Sequence, residues 1–365
     1  MAISFQGQTY ALKRYPTTTN RSLQAWSAAD EHLLRVWAEE PPEQATVGIW
    51  HDRFGALTTV LQAQRPVSVV AYQSQVKAIR QNLARNEAAD PILLPVLEAF
   101  PHPIDRALLR VPKSLDLYRL YLRQMAEALS PDGLALGSFM TRHFSPQLLS
   151  IAGEYFSDVA QSRAWKKSRL LLLRGPHKGT PELPLHEVVL NEEKTLRQYP
   201  GVFSANQIDP ATRLLLQHLR VAPGDQRLLD LGCGNGVIAA AVEASFPGRE
   251  LHLLDDSYLA MASARLNLPQ AHFHPQDTLE GFPDGFFDRI LSNPPFHLEH
   301  ENNIEVSLGL FREVQRCLRP GGRFQLVSNR HLNYPSHLRR MFARVEVVAE
   351  NERFGVYEGV KAGEI

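Results

Sequence analysis

The sequence repeats itself at an offset of 183 residues, and this repeat constrains the fold more than any other feature. Residues 105–113 and 288–296 both begin with Asp-Arg and continue with an apolar run, and residues 69–74 and 252–257 both end in serine. The offset grows to 189 residues between 129–133 and 318–322, as a short loop insertion would cause. A chain of 365 residues can build two domains. We therefore predict two tandem copies of one fold, at residues 1–183 and 184–365.

The second copy alternates between strand and helix patterns. Apolar strand patterns lie at 228–231, 250–254, 271–274, 287–292, 324–328, 345–349 and 354–360. Helical patterns at 237–242 and 260–268 separate the first strands, which is typical of a parallel sheet with helices on both faces. The last two strand patterns are too close for a crossover helix, so an antiparallel hairpin should end the sheet. The first copy keeps this order, so we predict two α/β units, each with a doubly wound, seven-stranded sheet.

A glycine-rich turn follows the first strand of the second copy. Asp230, Gly232, Gly234 and Gly236 fall within seven residues, in a G-x-G-x-G spacing rather than the G-x-G-x-x-G of dinucleotide-binding turns. Glycines let a ligand approach the backbone, and the helix that follows offers free N–H groups. The shorter spacing suits a compact aminoacyl tail better than a pyrophosphate. A glycine turn alone is weak evidence and gains weight only from the acids that follow it.

Two such acids follow the next strands. Asp255 lies 19 positions after Gly236, at the end of a strand, where a carboxylate can accept both hydroxyls of a ribose. Asp277 follows the third strand and is placed to accept from an adenine amino group, although an ordinary helix-cap aspartate is the alternative. The pattern indicates a nucleoside ligand with an aminoacyl tail.

The fourth strand runs into Asn293, Pro294, Pro295 and Phe296. Methylation of an exocyclic amine requires its lone pair to be aimed at the methyl donor, and the Asn293 side-chain oxygen and the Pro294 carbonyl can both accept from such an amine. The prolines stiffen the turn, and Phe296 offers a face on which a planar base can stack. Because the methyl donor is already activated, positioning supplies most of the rate. A proline loop with a packing phenylalanine is the alternative.

Residues beside these motifs allow two further readings. Phe203 and Asp209 could form a flap over the ligand, or belong to the first turn and cap of a helix at 212–219. A polar run lies directly after the proline turn (His297, Glu299, His300, Glu301), but its spacing is not that of a zinc site, so we expect no metal.

The two cysteines are too few for a disulfide framework, and the sequence shows neither a signal peptide nor a membrane-length apolar run. We expect a cytoplasmic protein.

The two halves of the chain carry net charges of opposite sign, although the net charge of the whole chain is zero. Residues 1–180 hold 21 Lys and Arg against 15 Asp and Glu, and the remainder holds 18 against 24. If an anionic polymer is the partner, the first half should therefore be its docking surface, unless the asymmetry is a chance fluctuation. In the first copy His51 and Arg53 replace the first two glycines of the turn. The first copy thus keeps the scaffold and loses the ligand-binding turn.

Taken together, these motifs resemble those of the bacterial ribosomal RNA guanine-N2 methyltransferases. The resemblance rests on the glycine turn, on the proline turn with His297, and on 201–204 (Gly-Val-Phe-Ser). The stretches 23–26, 28–31, 111–113 and 164–167 are most similar to those of the large-subunit enzyme family, methyltransferase G. The resemblance spans essentially the whole chain. It implies two tandem class I (Rossmann-like) methyltransferase domains, of which the first is degenerate and recognises RNA and the second is catalytic. On this resemblance, Lys166, Lys167 and Arg169 are candidate RNA contacts.

The resemblance also assigns roles to residues. It implies that S-adenosylmethionine is the cofactor, bound at Gly232, Gly234, Asp255 and Asp277, and that a guanine of 23S rRNA, free or in a large-subunit precursor, is held by Asn293, Pro294 and Phe296. A monomer without metal or membrane attachment is expected. One departure is Ala211, where the family pattern has a glycine two residues after Asp209. This departure puts in doubt how closely the flap approaches the cofactor.

Two enzyme alternatives and one non-catalytic alternative stay open. The first enzyme alternative is a methyltransferase of the small-subunit rRNA, and the second is an enzyme that methylates a protein glutamine or a DNA adenine; all of these share the proline turn. A tyrosine in place of Phe296 would have favoured methylation of glutamine or adenine, and neither of these activities explains a degenerate first copy. A non-catalytic RNA-binding protein that keeps the cofactor for stability is a different class, against which the intact Asn293 argues.

Overall fold

The computed structural model describes residues 1–18, 20, 22–39, 45–294 and 304–363. The chain forms two compact units, Met1–Pro184 and Leu185–Ile365, and each is described by itself. Among the described residues, no helix combines the length and apolar character that a membrane span needs.

The N-terminal unit begins with a two-stranded hairpin, β1 (Ala2–Phe5) and β2 (Gln8–Ala11). Its main sheet has seven strands: β3 (Val47–Trp50), β4 (Val67–Val70), β5 (Ile92–Pro95), β6 (Ile104–Arg110), β7 (Leu129–Met140), β8 (Phe156–Gln161) and β9 (Ser168–Pro176). Its helices are α1 (Ala28–Glu39), α2 (Ala56–Val60), α3 (Gln73–Arg85), α4 (Leu115–Ala128) and α5 (Pro146–Tyr155). The strand order is β5-β4-β3-β6-β7-β9-β8, and only β9 runs antiparallel to its neighbours.

The C-terminal unit also opens with a hairpin, β10 (His186–Val189) and β11 (Thr195–Gln198). Its main strands are β12 (Arg227–Leu231), β13 (Glu250–Asp255), β14 (His272–Pro275), β15 (Phe287–Ser292), β16 (Leu318–Asn329), β17 (Arg344–Glu350) and β18 (Phe354–Val360). Its helices are α6 (Pro210–Gln217), α7 (Val237–Ser245), α8 (Tyr258–Asn267), α9 (Ile304–Cys317) and α10 (Tyr334–Leu338). The order β14-β13-β12-β15-β16-β18-β17 repeats that of the N-terminal unit strand for strand.

Helices cover both faces of the C-terminal sheet. Along β12, Leu228 packs with residues of α6, α7 and α8 such as Leu215 and Met261, whereas its neighbour Leu229 packs with Phe311 of α9 and its surroundings. Successive side chains of a strand point to opposite faces, so an unbroken apolar run is what a sheet buried on both sides requires. The predicted fold class, two α/β units with seven-stranded sheets that each end in an antiparallel hairpin, is confirmed.

Two helices begin earlier than predicted because polar caps set their first residues. The helix predicted at 212–219 begins earlier, at Pro210, because Asp209 caps it and proline fits the first helical position. The helix predicted at 260–268 begins at Tyr258, since the Ser257 hydroxyl accepts from the backbone N–H of Ala260.

Candidate active site

The carboxyl ends of four parallel strands meet at one edge of the C-terminal sheet. Leu231 at the end of β12 pairs with Leu254 of β13 and with Ser292 of β15, and Asp255 pairs with Pro275 of β14. The glycine turn, Asp255, Asp277 and Asn293 therefore all leave the sheet at the same edge. In open α/β sheets this edge is where ligands bind.

The glycine turn connects β12 to α7. Gly232, Gly234 and Gly236 have φ angles of 71°, 56° and 82°, a region in which residues with a Cβ are strained. A Cβ added at Gly234 would meet no atom within 4 Å, so the turn borders open space there. At Gly236 a Cβ would lie 3.2 Å from the side chains of Leu253 and Leu268, so this glycine allows α7 to pack closely. Gly234 thus borders open space, whereas Gly236 is required for the packing of α7.

Asp255 ties the end of β13 to the glycine turn. Its Oδ2 accepts a hydrogen bond from the Gly234 N–H at 2.9 Å, and its Oδ1 accepts from the Ser257 N–H at 2.8 Å. Burial raises the pKa of this carboxyl to about 6, although both hydrogen bonds act in the opposite direction. Each carboxylate oxygen has a second lone pair, so Asp255 can still accept from a ligand hydroxyl.

Asp230 is a second buried carboxyl beside the turn. Its Oδ2 accepts from the Ala239 N–H in the first turn of α7 at 3.0 Å, whereas its Oδ1 is buried and has no hydrogen-bond partner among the described residues. The pKa of Asp230 is raised to about 7, chiefly by burial; the Ala239 hydrogen bond acts to lower it, and the charge of Asp255 acts to raise it. Two neighbouring acids with raised pKa values favour a positively charged ligand group.

Asn293 follows β15 and is fixed by the first turn of α6. Its Nδ2 donates to Thr212 Oγ1 at 2.8 Å and to Asp209 Oδ2 at 3.2 Å. The same Asp209 oxygen accepts from the N–H groups of Ala211 and Thr212 as the helix cap. With both amide donors engaged, the amide orientation is determined, and Oδ1 is buried without a partner among the described residues. Asn293 Oδ1 is therefore a pre-positioned acceptor at the end of β15.

The remaining predicted residues are placed as follows. Pro294 is buried next to Asn293, whereas Pro295, Phe296 and the polar run 297–301 lie outside the described residues. Asp277 is half-buried in the segment after β14. Phe203 is 70% exposed, and Asp209 acts as a helix cap. Ala211, the departure from the family pattern, is buried within the first turn of α6 rather than in a flap.

Sequence reasoning missed two residues that join loop 199–205 to the glycine turn. The buried Gln198, the last residue of β11, accepts from the Asn235 side-chain N–H at 2.8 Å. Its own amide donates to the carbonyls of Val202 and Ser204 at 3.4 Å. Thr212 was likewise missed as the partner of Asn293. None of these contacts has a local sequence signal, because each joins residues more than 35 positions apart or depends on a loop conformation.

The basic segment of the N-terminal unit forms the turn between β8 and β9. Lys166 and Lys167 have φ angles of 44° and 60°, and Trp165 bridges to Ser168 across the turn. Lys166 Nζ lies 2.8 Å from Glu31 Oε2 and 4.6 Å from the centre of the Trp165 ring. Lys167 is exposed, and so is Arg169, which donates to the Gln161 side chain at 3.2 Å. Two exposed cations and a lysine already paired with a carboxylate make up this surface.

Each of the two units matches a known protein family. Residues 1–178 match the family described as RLMG N-terminal domain, and residues 193–358 match the family described as Methyltransferase small domain. A T. thermophilus 16S rRNA N2 methyltransferase, solved in complex with AdoMet and guanosine, is 22% identical and has a TM-score of 0.75, with 99% of this chain and 97% of that one covered. At that identity the likeness shows the fold alone.

Curated relatives match along nearly the full length. The ribosomal RNA large subunit methyltransferase G of Streptomyces coelicolor is 37% identical, with 96% of this chain and 97% of the relative covered. The protein of the same name from Aeromonas salmonicida is 35% identical, with 96% of each chain covered. The chain therefore belongs to the ribosomal RNA large subunit methyltransferase G family.

Proposed function

We propose that this protein transfers a methyl group from S-adenosylmethionine to the exocyclic N2 of one guanine in 23S rRNA. Family membership supports the reaction class and the large-subunit RNA, since the curated relatives are named for them. The observation that carries the proposal is the buried Asn293 Oδ1, a pre-positioned acceptor beside a ligand-binding turn.

The C-terminal unit fits the cofactor by three features of its own residues. Open space borders Gly234, the Asp230 Oδ1 is buried without a partner among the described residues, and Asp255 retains accepting capacity. When bound, the cofactor supplies a methyl group activated on a sulfonium. The buried acids Asp230 and Asp255 would stabilise its cationic and hydroxyl groups, and Asp277 would accept from the adenine amino group. Gly232 and Gly236 shape the turn, and Phe203 and Asp209 stay candidates for the ligand-side loop.

Asn293 would act by orientation. Its Oδ1 accepts one hydrogen of the guanine amine, with the Pro294 carbonyl as second acceptor, and this turns the nitrogen lone pair toward the methyl group. Thr212 and Asp209 keep the Asn293 amide from rotating. Positioning of this kind contributes to rate without a general base. Pro295 would stiffen the turn, and Phe296 would stack on the base for about 1–3 kcal/mol.

The N-terminal unit, by this proposal, docks the RNA. Its net charge and the exposed Lys167 and Arg169 suit a phosphate backbone, with Lys166 as a third contact once it leaves Glu31. The proposed partner is 23S rRNA or a large-subunit precursor, which places the protein in the cytoplasm. We propose that it acts as a monomer and that the transfer step itself needs no metal.

The test is methylation of purified 23S and 16S rRNA by the full-length protein, followed by mass spectrometry of the nucleosides. We expect N2-methylguanosine in 23S rRNA. Methylation of 16S rRNA alone would favour the small-subunit alternative, and N6-methyladenosine or a methylated protein glutamine would reject the proposed amine. Binding of cofactor without any transfer to rRNA, protein or DNA would favour a non-catalytic RNA-binding protein.

A further inference from the structure

Two adjacent strands of the C-terminal unit, β13 and the edge strand β14, present histidine and glutamate side chains on one face of the sheet. Glu250 and His252 alternate along the start of β13, and His272 and His274 alternate along β14. The parallel register pairs His252 with His272. Alternate residues of a strand share one face, so the four side chains lie together.

The distances within this cluster match those of a metal site. Glu250 Oε1 lies 3.0 Å from His252 Nε2 and 3.8 Å from His272 Nε2. One potential ligand atom from each of the three residues lies within 4.8 Å of the other two. Tetrahedral Zn²⁺, with bonds of about 2.0–2.1 Å, holds its ligand atoms ~3.3 Å apart. Small side-chain movements therefore suffice to bring one carboxylate oxygen and two imidazole nitrogens around one ion.

One residue of the cluster is buried and two are exposed, which leaves the three side chains open to solvent on one side. His252 is buried, whereas the side chains of Glu250 and His272 are 45% and 56% exposed, so an ion can enter from solvent. The His252 Nδ1 lies 3.0 Å from His274 Nε2, a contact that orients the ring from behind, as outer partners of metal-binding histidines do.

The surroundings hold the buried ring in place. His252 stacks on His272 with ring centres 4.6 Å apart, and the rings of Phe286 and Phe287 meet it edge-on at 5.4 and 5.3 Å. Arg227 pairs in register with Glu250, but its guanidinium lies over the Phe286 ring, 4.6 Å from the centre. The rigid His252 and the exposed His272 thus differ in freedom, and His272 is the ligand that turns to meet the ion.

We propose that Glu250, His252 and His272 bind one Zn²⁺ ion, with water as the fourth ligand. The ion would fasten the edge strand β14 to β13 and would have a structural role, because none of its three ligands lies at the strand ends that carry Asp255 and Asn293. The proposal is independent of the methyl transfer reaction. It also departs from the absence of metal expected from sequence, since the spacing of these ligands follows strand pairing rather than a known zinc motif.

The test is equilibrium dialysis of the full-length, chelator-treated protein against ZnCl₂, with metal content measured per chain. We expect one zinc in the wild type, with a Kd raised ~10-fold or more in Glu250→Gln and in His272→Ala. Both side chains are exposed, so the variants should keep the unfolding transition of the metal-free protein. His218→Ala, which removes an exposed histidine outside the cluster, is the matched control and should bind zinc as the wild type does.

Two further readouts separate this site from adventitious binding. Co²⁺ in place of zinc should give the visible absorption of a tetrahedral site in the wild type and in His218→Ala only. Zinc should raise the Tm of these two proteins more than that of the cluster variants, since an ion that binds only the folded state stabilises it. A wild type that binds no zinc, or cluster variants that bind it as tightly as the control, would overturn the proposal.

Discussion

The two units share a strand order but differ at the turn after the first strand of the sheet. In the C-terminal unit Gly234 borders open space and Asp255 accepts from its N–H. At the corresponding positions of the N-terminal unit, Arg53 donates to Ser74 Oγ at 2.8 Å and lies 5.1 Å from the centre of the Tyr72 ring. An arginine and a tyrosine of the chain itself therefore lie where the other unit leaves room for a ligand.

The two units share the glycine that precedes the helix after this turn. Gly55 and Gly236 occupy equivalent positions, both have positive φ, and each begins a helix. A Cβ at Gly55 would lie 2.8 Å from the Ile79 backbone, so close packing requires this glycine even without a ligand. Loss of the ligand-facing glycine and retention of the packing glycine show that the two have separate physical roles.

The ends of the fourth strands differ in the same way. Arg110 is the counterpart of Asn293, and it forms an ion pair at 2.5 Å with Asp30 in the first turn of α1. Asn293 instead contacts Thr212 and Asp209 at the first turn of α6 and keeps a buried acceptor without a partner among the described residues. At this position the N-terminal unit pairs its own side chains, whereas the C-terminal unit keeps the acceptor that we propose for a substrate amine.

The largest effect on cofactor affinity is expected when Gly234 of the C-terminal unit is replaced by arginine, the residue at the corresponding position of the N-terminal unit. Gly234→Arg should fill the ligand space and weaken S-adenosylmethionine binding ~100-fold or more, about 2.7 kcal/mol. The backbone φ of 56° should cost a further ~1–2 kcal/mol of stability. Gly234→Ala carries the same backbone strain without the bulk, so calorimetric titration should find its affinity much nearer the wild type. Equal affinities for the two variants would argue that the ligand does not lie at this turn.

The second prediction separates structure from chemistry at the strand end. Arg110→Ala leaves the buried Asp30 carboxylate without its cation and should lower the free energy of unfolding by ~1–3 kcal/mol. Because Arg110 belongs to the N-terminal unit, cofactor affinity should not change. Chemical denaturation and calorimetric titration measure the two effects. A loss of cofactor affinity without a loss of stability would contradict the structural role assigned to Arg110.

The third prediction concerns the buried carboxyl of Asp230, whose counterpart is the buried Ile49. Its folded-state pKa of about 7 exceeds the unfolded value, so the folded unit binds the proton more tightly. The stability from this group is present below pH ~4 and is lost as the pH rises through about 7. Asp230→Asn should therefore flatten the pH profile of unfolding and stabilise the ligand-free protein at pH 8 by ~1 kcal/mol or more. The same variant should also weaken cofactor binding. An unchanged pH profile of unfolding would exclude Asp230 as the source of the pH-dependent stability.

The smallest effect is expected at the basic turn of the N-terminal unit. Lys166→Ala with Lys167→Ala should weaken RNA binding and reduce the slope of log affinity against log salt by up to ~2. Lys167 should contribute more, since Lys166 is already paired with Glu31. Lys194→Ala removes a lysine of the C-terminal unit that is likewise paired, with Glu243 at 2.8 Å, and is the matched control. A salt slope unaffected by the double variant would exclude this turn as a phosphate contact.

The sequence was sufficient for the fold, and for the positions where site residues leave the sheet, because both depend on local patterns. Strand periodicity and the internal offset predicted both sheets with their terminal hairpins, and the glycine turn was visible as a motif. The partner of Asn293 was not predictable, because Thr212 lies 81 positions away and has no motif of its own. The stacking of Arg53 on Tyr72 and the proximity of Glu250 to His272 depend on which strands become neighbours, and this is decided by tertiary packing.

The contrast between Asn293 and Arg110 gives the most direct test of the account, through Asn293→Ala. We predict that methyl transfer to rRNA falls at least ~100-fold, as it does when a single positioned hydrogen-bonding group is removed from other active sites. The Kd for S-adenosylmethionine and the Tm should stay near the wild-type values. Arg110→Ala, measured in parallel, should lose stability and keep its rate of transfer. Turnover by Asn293→Ala at a rate near that of the wild type would contradict the role assigned to Asn293, and with it the account of how the C-terminal unit works.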